Sequence, residues 1–198
     1  KLIGDKLLDA LSRPYLLRDS PFSCSASIGV ALWRGSMKTN IHELLKRSDV
    51  AMYEAKKAGR NSVRFFDPVM QVALEHRARL EARLRLALSL NQFELHYQKR
   101  VSDSGAVLGA EALLRWQDPE RGLVSPGEFI SMAEDNGLIV PIGRWVLDGA
   151  CRQLKAWEKQ PETRALSLSV NISPKQFAED RFVQEVADIL AETGANPA

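Results

Sequence analysis

Near the middle of the chain stands the sequence Val107-Leu108-Gly109-Ala110-Glu111-Ala112-Leu113-Leu114-Arg115-Trp116, in which two kinds of side chain alternate. Successive side chains of a β-strand point to opposite faces of its sheet. One face would therefore be apolar and pack against helices, formed by Leu108, Ala110, Ala112, Leu114 and Trp116. The other face would carry Glu111, Leu113 and Arg115. At ~3.3 Å per residue, Glu111 and Arg115 lie roughly 13 Å apart, so they can hold two parts of one ligand but not form an ion pair.

Two further segments repeat this pattern. Strands are predicted at Phe93–Gln98 and Leu166–Ile172, and their polar faces place Gln98 and Asn171 on one interior surface with Glu111. Helices are predicted between and after the strands, at Pro126–Asn136, about Gly143–Glu158 and Arg181–Glu192. This α/β alternation predicts a parallel sheet or a (β/α) barrel, whose active residues collect at the carboxyl ends of the strands. The alternative is that these polar residues are ordinary hydrogen-bonded structure.

The first third of the chain has its own pattern. A strand is predicted at Phe22–Trp33, followed by a helix that Asn40 caps and Gly59 ends, and by a strand at Ser62–Phe66. Asp67-Pro68 breaks the pattern before a helix from about residue 69 to residue 90, which places a domain boundary near residue 68. Two cations, Lys56 and Arg60, flank the end of the first long helix; the simplest explanation is that cations favour a helix C-terminus.

Bulk properties exclude several classes of protein. The 198 residues are 45% hydrophobic and 26% charged, with a net charge of +2, so overall charge does not indicate nucleic acid or anionic membrane as a partner. Cys24 and Cys151 lack the spacing of a metal site and are predicted to be reduced core residues, which indicates a cytoplasmic protein; a membrane anchor elsewhere in a longer parent stays open. The chain begins inside a helix-like run and ends in a loop, so we expect a piece of a larger protein.

Two segments resemble GGDEF (diguanylate cyclase) domains. They are Ser27-Ile28-Gly29-Val30 and Ser48-Asp49-Val50-Ala51-Met52-Tyr53-Glu54-Ala55-Lys56-Lys57-Ala58-Gly59-Arg60-Asn61. The resemblance implies the C-terminal third of a ferredoxin-like, nucleotidyl-cyclase-like domain. It also implies that Lys56 and Arg60 contact nucleotide phosphates, with GTP as the ligand of that half of the parent. The family's signature loop would precede Lys1, so this remnant alone should make no cyclic di-GMP.

The remainder resembles the start of an EAL phosphodiesterase domain. The residues that carry this likeness are Tyr97-Gln98, Glu111 to Trp116, Ser125-Pro126, Phe129-Ile130, Ala133-Glu134 and Val170-Asn171-Ile172-Ser173. The resemblance implies the first half of a TIM-type (β/α) barrel. It implies that Glu111 and Asn171 are catalytic ligands of Mg²⁺ or Mn²⁺ in a two-metal site. It further implies that cyclic di-GMP is bound by Gln98, the Leu113 backbone, Arg115 and Pro126. One departure is Lys99, where the family usually has proline.

Together the two resemblances define a GGDEF–EAL tandem protein of cyclic di-GMP signalling. Residues 1–68 are expected to be the end of the GGDEF domain, 69–90 a linker helix, and 91–198 the start of the EAL domain. The intact parent is expected to hydrolyse cyclic di-GMP to linear pGpG. The alternatives are a receptor module that binds the dinucleotide without cutting it, and a diguanylate cyclase parent with a regulatory EAL half. Residues 1–198 alone are expected to be inactive, and EAL domains often dimerise, which makes a homodimer an expectation.

Overall fold

The computed structural model describes residues 1–33, 35 and 40–197. They form two compact units that divide between Ala78 and Arg79. Ala198, the last residue of the predicted terminal loop, lies outside the described residues. In the described part of the chain, no helix combines the length and the apolar character needed to cross a bilayer.

The first unit is a small α/β arrangement. Its elements are α1 (Leu2–Ser12), β1 (Tyr15–Leu17), β2 (Ser20–Phe22), β3 (Ser27–Val30), α2 (Ile41–Lys57), β4 (Ser62–Phe65) and the start of α3 (Pro68–Ala87). β1 and β2 form an antiparallel hairpin, whereas β3 and β4 pair in parallel. Helix α2 buries Val50, Ala51 and Ala55.

Two sequence predictions for this unit need correction. The strand predicted at Phe22–Trp33 is too long, because Phe22 ends β2 and β3 is confined to Ser27–Val30. Cys24 lies between these strands and is exposed, so it is not a core residue, although both cysteines are free as predicted. The predicted helix ends are confirmed: the Asn40 side chain accepts a hydrogen bond from the Glu43 N–H at 2.8 Å. Gly59 follows α2 with φ of 101°, a backbone conformation that glycine adopts without strain.

The second unit is built on a four-stranded sheet. Its elements after α3 are β5 (Phe93–Val101), β6 (Val107–Asp118), β7 (Gly122–Val124), α4 (Pro126–Asn136), α5 (Ile139–Trp157), β8 (Ser167–Val170), α6 (Pro174–Phe177) and α7 (Phe182–Thr193). Strand β6 pairs with β5, β7 and β8. Only the β6–β8 pair is parallel, as helices α4 and α5 connect these two strands.

The expectation of a wholly parallel sheet is therefore wrong for β5. This strand is antiparallel to β6, because the few residues between Val101 and Val107 suffice for a hairpin but not for a crossover. The short strand β7, which the sequence pattern missed, is also antiparallel to β6. A TIM barrel has eight parallel strands, so the described residues form an incomplete barrel.

The core of this unit lies between the sheet and its helices. Trp116 and Phe129 have no exposed surface, and their rings meet edge to face with centroids 5.6 Å apart. Ala110 and Ala112 are also buried, which confirms the apolar face predicted for β6, but Leu108 at the start of the strand is 51% exposed. Burial of large apolar side chains of this kind contributes roughly 1.5–3 kcal/mol each to stability.

A buried ion pair ties α3 to the turn between β6 and β7. The Asp118 carboxylate accepts hydrogen bonds from the backbone N–H groups of Glu120 and Arg121, at 3.0 and 2.9 Å. Arg83 of α3 lies 3.2 Å from the same oxygen, and the Asp118 side chain is 0% exposed. Because the carboxylate is removed from water, it depends on Arg83 as its charge partner.

We predict that Arg83→Ala lowers the free energy of unfolding by about 3 kcal/mol. Breaking a buried pair typically costs roughly 3–5 kcal/mol, and we take the low end because Arg83 is 25% exposed. Urea denaturation would measure the change. The control is Arg85→Ala on the same helix, whose pair with Glu81 is exposed and contributes about 0.5 kcal/mol or less. Equal losses for the two variants would contradict the assignment.

Candidate functional site

Three strands bring polar side chains into one row across the sheet. In the β5–β6 register Gln98 lies directly opposite Glu111, and in the β6–β8 register Glu111 lies opposite Ser169. Residues directly opposite each other on neighbouring strands point to the same face of the sheet. The predicted grouping of Gln98 and Glu111 on one surface therefore has a structural basis in this pairing.

Asn171 is brought against Glu111. It follows the last residue of β8, and its Nδ2 donates a hydrogen bond to Glu111 Oε1 at 2.6 Å. Glu111 is partly buried, whereas Asn171 remains exposed. A strand end thus places a carboxylate and a side-chain amide, both of which carry oxygen atoms, in direct contact.

This pair fits part of a hard-cation site. Carboxylate and amide oxygens are ligands of Mg²⁺ and similar ions, which require about six donors. Among the residues that the structure describes, no group of three or more His, Cys, Asp or Glu side chains is placed to hold a metal ion. Glu111 and Asn171 can therefore supply two donors of a coordination shell that other ligands must complete.

A cavity of about 370 Å³ is lined by Asn171 of this pair but not by Glu111. Three more of the residues singled out in the sequence, Leu113, Arg115 and Pro126, also line it. Helices α4 and α5 supply apolar side chains to the lining, among them Ile130, Ile139, Ile142 and Val146. A concave, mostly apolar surface with a few convergent polar groups is typical of a small-molecule site. Gln98 is not among the residues that line this cavity.

The helix that supplies Pro126 begins as predicted, with one difference. Ser125 is the N-cap of α4 and Pro126 is its first residue. The Ser125 side chain makes no capping hydrogen bond, so the Glu128 N–H bonds to the Ser125 carbonyl oxygen instead, at 2.9 Å. The Glu128 carboxylate is engaged by Arg121 at 2.9 Å, and this pairing draws it away from a reciprocal cap.

Arg115 lies beside Glu94 of β5, whose carboxylate is hydrogen-bonded to His96 and Gln117. Its guanidinium donates to the Leu114 carbonyl oxygen at 2.9 Å, and Glu94 lies opposite it in the β5–β6 register. Hydrogen bonds from Gln117 and from His96, together with the nearby charge of Arg115, hold the pKa of Glu94 below its usual value. The sequence pattern placed Glu94 on the polar face of β5 but gave it no role.

The departure at Lys99 leaves the polar row in place. Strand β5 continues past Gln98 to Val101, and Lys99 pairs with Ala110, a residue of the helix-facing side. Lys99 therefore points away from Glu111. The next residue, Arg100, is on the polar face and its guanidinium hydrogen-bonds to the Ser169 hydroxyl on β8. Arg100 lies opposite Gly109 of β6. A Cβ at position 109 would overlap the Ser167 carbonyl oxygen.

Lys56 and Arg60 belong to the first unit, whereas the other predicted site residues belong to the second. Lys56 lies in the last turn of α2 and Arg60 follows the helix, and both are exposed. The Arg60 N–H bonds to the Ala55 carbonyl oxygen at 3.1 Å. Arg60 has φ of 63° and Asn61 has φ of 45°, so two non-glycine residues adopt the left-handed conformation in succession.

We predict that Gln117→Leu raises the pKa of Glu94 towards its ordinary value of 4.5, because the Gln117 hydrogen bond is the largest cause of the lowering. The carboxyl signal of Glu94, followed by NMR during a pH titration, would measure this. His96→Ala removes both a hydrogen bond to Glu94 and a nearby charge, so it should also raise the pKa of Glu94. An unchanged pKa in both variants would show that neither side chain lowers it.

Comparison with known proteins identifies two families along the chain. Residues 81–198 match the family model of the EAL domain, and residues 2–62 match that of the diguanylate cyclase GGDEF domain. MucR of Pseudomonas aeruginosa, described as a bifunctional diguanylate cyclase/cyclic di-GMP phosphodiesterase, is 41% identical over 196 residues, which are 98% of this chain and 28% of MucR. The cyclic di-GMP phosphodiesterase PdeR of Escherichia coli is 38% identical over 192 residues, 96% of this chain and 28% of PdeR.

Solved structures give the same family. The PaMucR phosphodiesterase in complex with c-di-GMP has a TM-score of 0.58 at 43% identity, over 60% of this chain and 48% of that chain. The EAL enzyme Bd1971 with cAMP and cyclic-di-GMP bound has a TM-score of 0.60 at 30% identity, over 81% of this chain and 42% of that chain. The chain spans about a quarter of the length of the curated relatives it matches. It belongs to the EAL domain family, preceded by a GGDEF segment as in the bifunctional GGDEF–EAL proteins.

Proposed function

We propose that this chain provides the first part of a metal-dependent cyclic di-GMP phosphodiesterase, which hydrolyses one phosphodiester bond of the cyclic dinucleotide to give linear pGpG. The observation that carries the proposal is the 2.6 Å hydrogen bond from Asn171 Nδ2 to Glu111 Oε1. Asn171 and Arg115 line the same cavity. The names of MucR and PdeR, and the c-di-GMP complex of PaMucR, support this substrate.

Glu111 and Asn171 would hold Mg²⁺ or Mn²⁺ through their side-chain oxygens. Their chemistry fits hard divalent ions, although they supply only two of the donors such ions need. When bound, a pair of such ions supplies an activated water and stabilises charge on the phosphoryl group. The role of Glu111 is to keep a negative charge at the centre of the polar row, where Gln98 flanks it on β5.

Arg115 would bind a phosphate of the dinucleotide. Its planar guanidinium matches the geometry of two phosphate oxygens, and it lines the cavity with Pro126 and Leu113. The apolar side chains that α4 and α5 supply to the lining exclude water from part of the cavity. Phosphate contacts therefore strengthen, because charges interact more strongly where water is excluded.

Lys56 and Arg60 would contact nucleotide phosphates, with GTP as the ligand of the GGDEF half of the parent. Both are cations at the end of α2, and the simple explanation from the helix dipole applies to Lys56. It does not explain the left-handed backbone of Arg60, which costs roughly 1–2 kcal/mol in a non-glycine residue. Strain of this kind collects at ligand sites, which favours a binding role for Arg60.

The organisation of the parent is part of the same proposal. We place the end of the GGDEF domain at residue 68, a linker helix at 69–90 and the EAL domain from residue 91. Helix α3 covers most of that linker. A cytoplasmic location fits two free cysteines, and a homodimer through the EAL domain follows from the family resemblance.

A receptor that binds cyclic di-GMP without cutting it is the second candidate. The observation that favours it is that Arg115 lines the cavity whereas Glu111, the proposed metal ligand, does not. The cavity and Arg115 are sufficient for binding alone. A cyclase parent with a regulatory EAL half would likewise bind the dinucleotide here without hydrolysing it.

We predict that Glu111→Ala in the full-length protein lowers pGpG formation by more than about 100-fold in Mg²⁺ or Mn²⁺, since substituting even outer partners of metal ligands costs roughly 10–100-fold. Chromatography of the products would measure turnover, and calorimetry would measure dinucleotide binding, which should persist because Arg115 is intact. Glu179→Ala is the matched control, an exposed carboxylate on the turn after α6.

Two results would decide between the candidates. Turnover in the unaltered protein that Glu111→Ala abolishes supports the phosphodiesterase. Binding without turnover in the unaltered protein, over the same range of both metals, would exclude the phosphodiesterase and establish the receptor. Equal turnover in the Glu111 and control variants would remove Glu111 from the catalytic site.

We also predict that residues 1–198 alone form no pGpG in Mg²⁺ or Mn²⁺. The physical reason is the incomplete donor set around Glu111 and Asn171 in the described residues. The same chromatographic assay, run at high protein concentration, is the measurement. Turnover that saturates with cyclic di-GMP and disappears in Glu111→Ala would refute this expectation.

A further inference from the structure

Gln176 is a polar side chain that is only 4% exposed, and nothing in the proposed reaction uses it. It lies in α6, five residues after Asn171. Asp118 is similarly buried, but its turn and its partner Arg83 account for it. Burying an amide costs free energy unless hydrogen bonds compensate, so the position of Gln176 needs a physical explanation of its own.

One part of the explanation is a closed capping box. The Gln176 N–H donates to Ser173 Oγ at 3.2 Å, and the Ser173 N–H donates to Gln176 Oε1 at 3.2 Å. These reciprocal bonds fix the turn that begins two residues after Asn171. The direction in which the chain leaves β8, and so the position of Asn171, depends on this turn.

The other part is a direct contact with α5. A Cβ added at Gly143 would overlap the side-chain amide of Gln176, so this amide lies against the bare backbone of the helix. Helix α5 is itself anchored in the core by Ile142 and Val146, which are 1% and 7% exposed. Gln176 thus connects the turn to a rigid part of the unit. Gly143 and Gln176 line the same cavity as Asn171.

A neighbouring contact holds the same turn from a second direction. Lys175 Nζ donates to the Glu134 carbonyl oxygen at the end of α4, at 2.6 Å. Lys175 is exposed, however, and a long flexible side chain fixes position less firmly than a buried amide. Gln176 is therefore the residue expected to set the geometry.

We propose that Gln176 is a positioning residue that holds Asn171 in contact with Glu111. It does so through its capping box with Ser173 and through the contact of its side-chain amide with Gly143. The inference rests on the proposed function, because Asn171 matters only if it ligates the metal. In this role Gln176 acts through Asn171 and does not itself ligate the metal. Its effect is to reduce the conformations open to Asn171, which lowers the entropic cost of binding an ion there.

The test compares Gln176→Ala and Gly143→Ala with Gln184→Ala in the full-length protein. Gln184 is the matched control, an exposed glutamine on α7 that bonds only to Asp188, at 2.8 Å, among the described residues. The first readout needs no metal: the NMR signal of the Asn171 side-chain amide in protein labelled with ¹⁵N-asparagine. The second is the dissociation constant for Mn²⁺, from electron paramagnetic resonance of free Mn²⁺. The third separates kcat from KM for cyclic di-GMP.

The expected result has three parts. Gln176→Ala and Gly143→Ala shift or broaden the Asn171 amide signal and weaken Mn²⁺ binding by about tenfold or more, the range found for partners of metal ligands. The kcat measured at saturating Mn²⁺ changes by less than about twofold, because both proposed metal ligands are still present. Gln184→Ala behaves as the unaltered protein. A melting temperature that falls while the Asn171 signal and Mn²⁺ affinity stay unchanged would overturn the proposal.

Failure of the proposed function gives a different pattern. If the unaltered protein neither binds Mn²⁺ nor forms pGpG, the phosphodiesterase proposal fails, while the Asn171 signal still reports whether Gln176 positions that side chain. If the unaltered protein is active and both variants keep its Mn²⁺ affinity, only the positioning role fails. Should both variants fail to fold, Ser173→Ala removes one bond of the capping box without changing α5, and the same three readouts decide.

Discussion

The pairing of β6 with β5 on one side and β8 on the other determines where the strand residues of the candidate site lie. It sets Gln98, Glu111 and Ser169 in one row and delivers Asn171 to Glu111 from the end of β8. A shift of one residue in either register would turn Glu111 towards the helices. Gly109 contributes to this register, because β6 and β8 approach there to a distance that no Cβ permits.

The helices fix the other half of the site. Phe129 of α4 and Ile142 of α5 are fully buried against the sheet, so Pro126 and Gly143, on the same helices, occupy defined positions around the cavity. A close-packed core permits little movement, and the core therefore positions polar groups that are themselves partly exposed. Stability and binding geometry depend on the same packing in this unit.

The sequence predicted the two faces of β6 better than it predicted the direction of β5. Alternation along β6 correctly separated Glu111 and Arg115 from the buried Ala110 and Ala112, because alternation is a local property of a strand. Strand direction is not local, and β5 was wrongly expected to be parallel, although the short connection to β6 carried the signal. The burial of Gln176 depends on a contact with Gly143, thirty-three positions earlier, which no periodicity shows.

Two similar sequences show the limit of motif reasoning most clearly. Ser125-Pro126-Gly127-Glu128 and Ser173-Pro174-Lys175-Gln176 both fit a capping box, yet only the second one closes. The first has a charged partner that Arg121 engages, whereas the neutral Gln176 amide is held against α5. Surrounding contacts therefore decide which motif forms. Surroundings matter for Lys99 as well: its side chain lies on the face of the sheet opposite Glu111, so this departure from the family pattern leaves the Glu111–Asn171 contact in place.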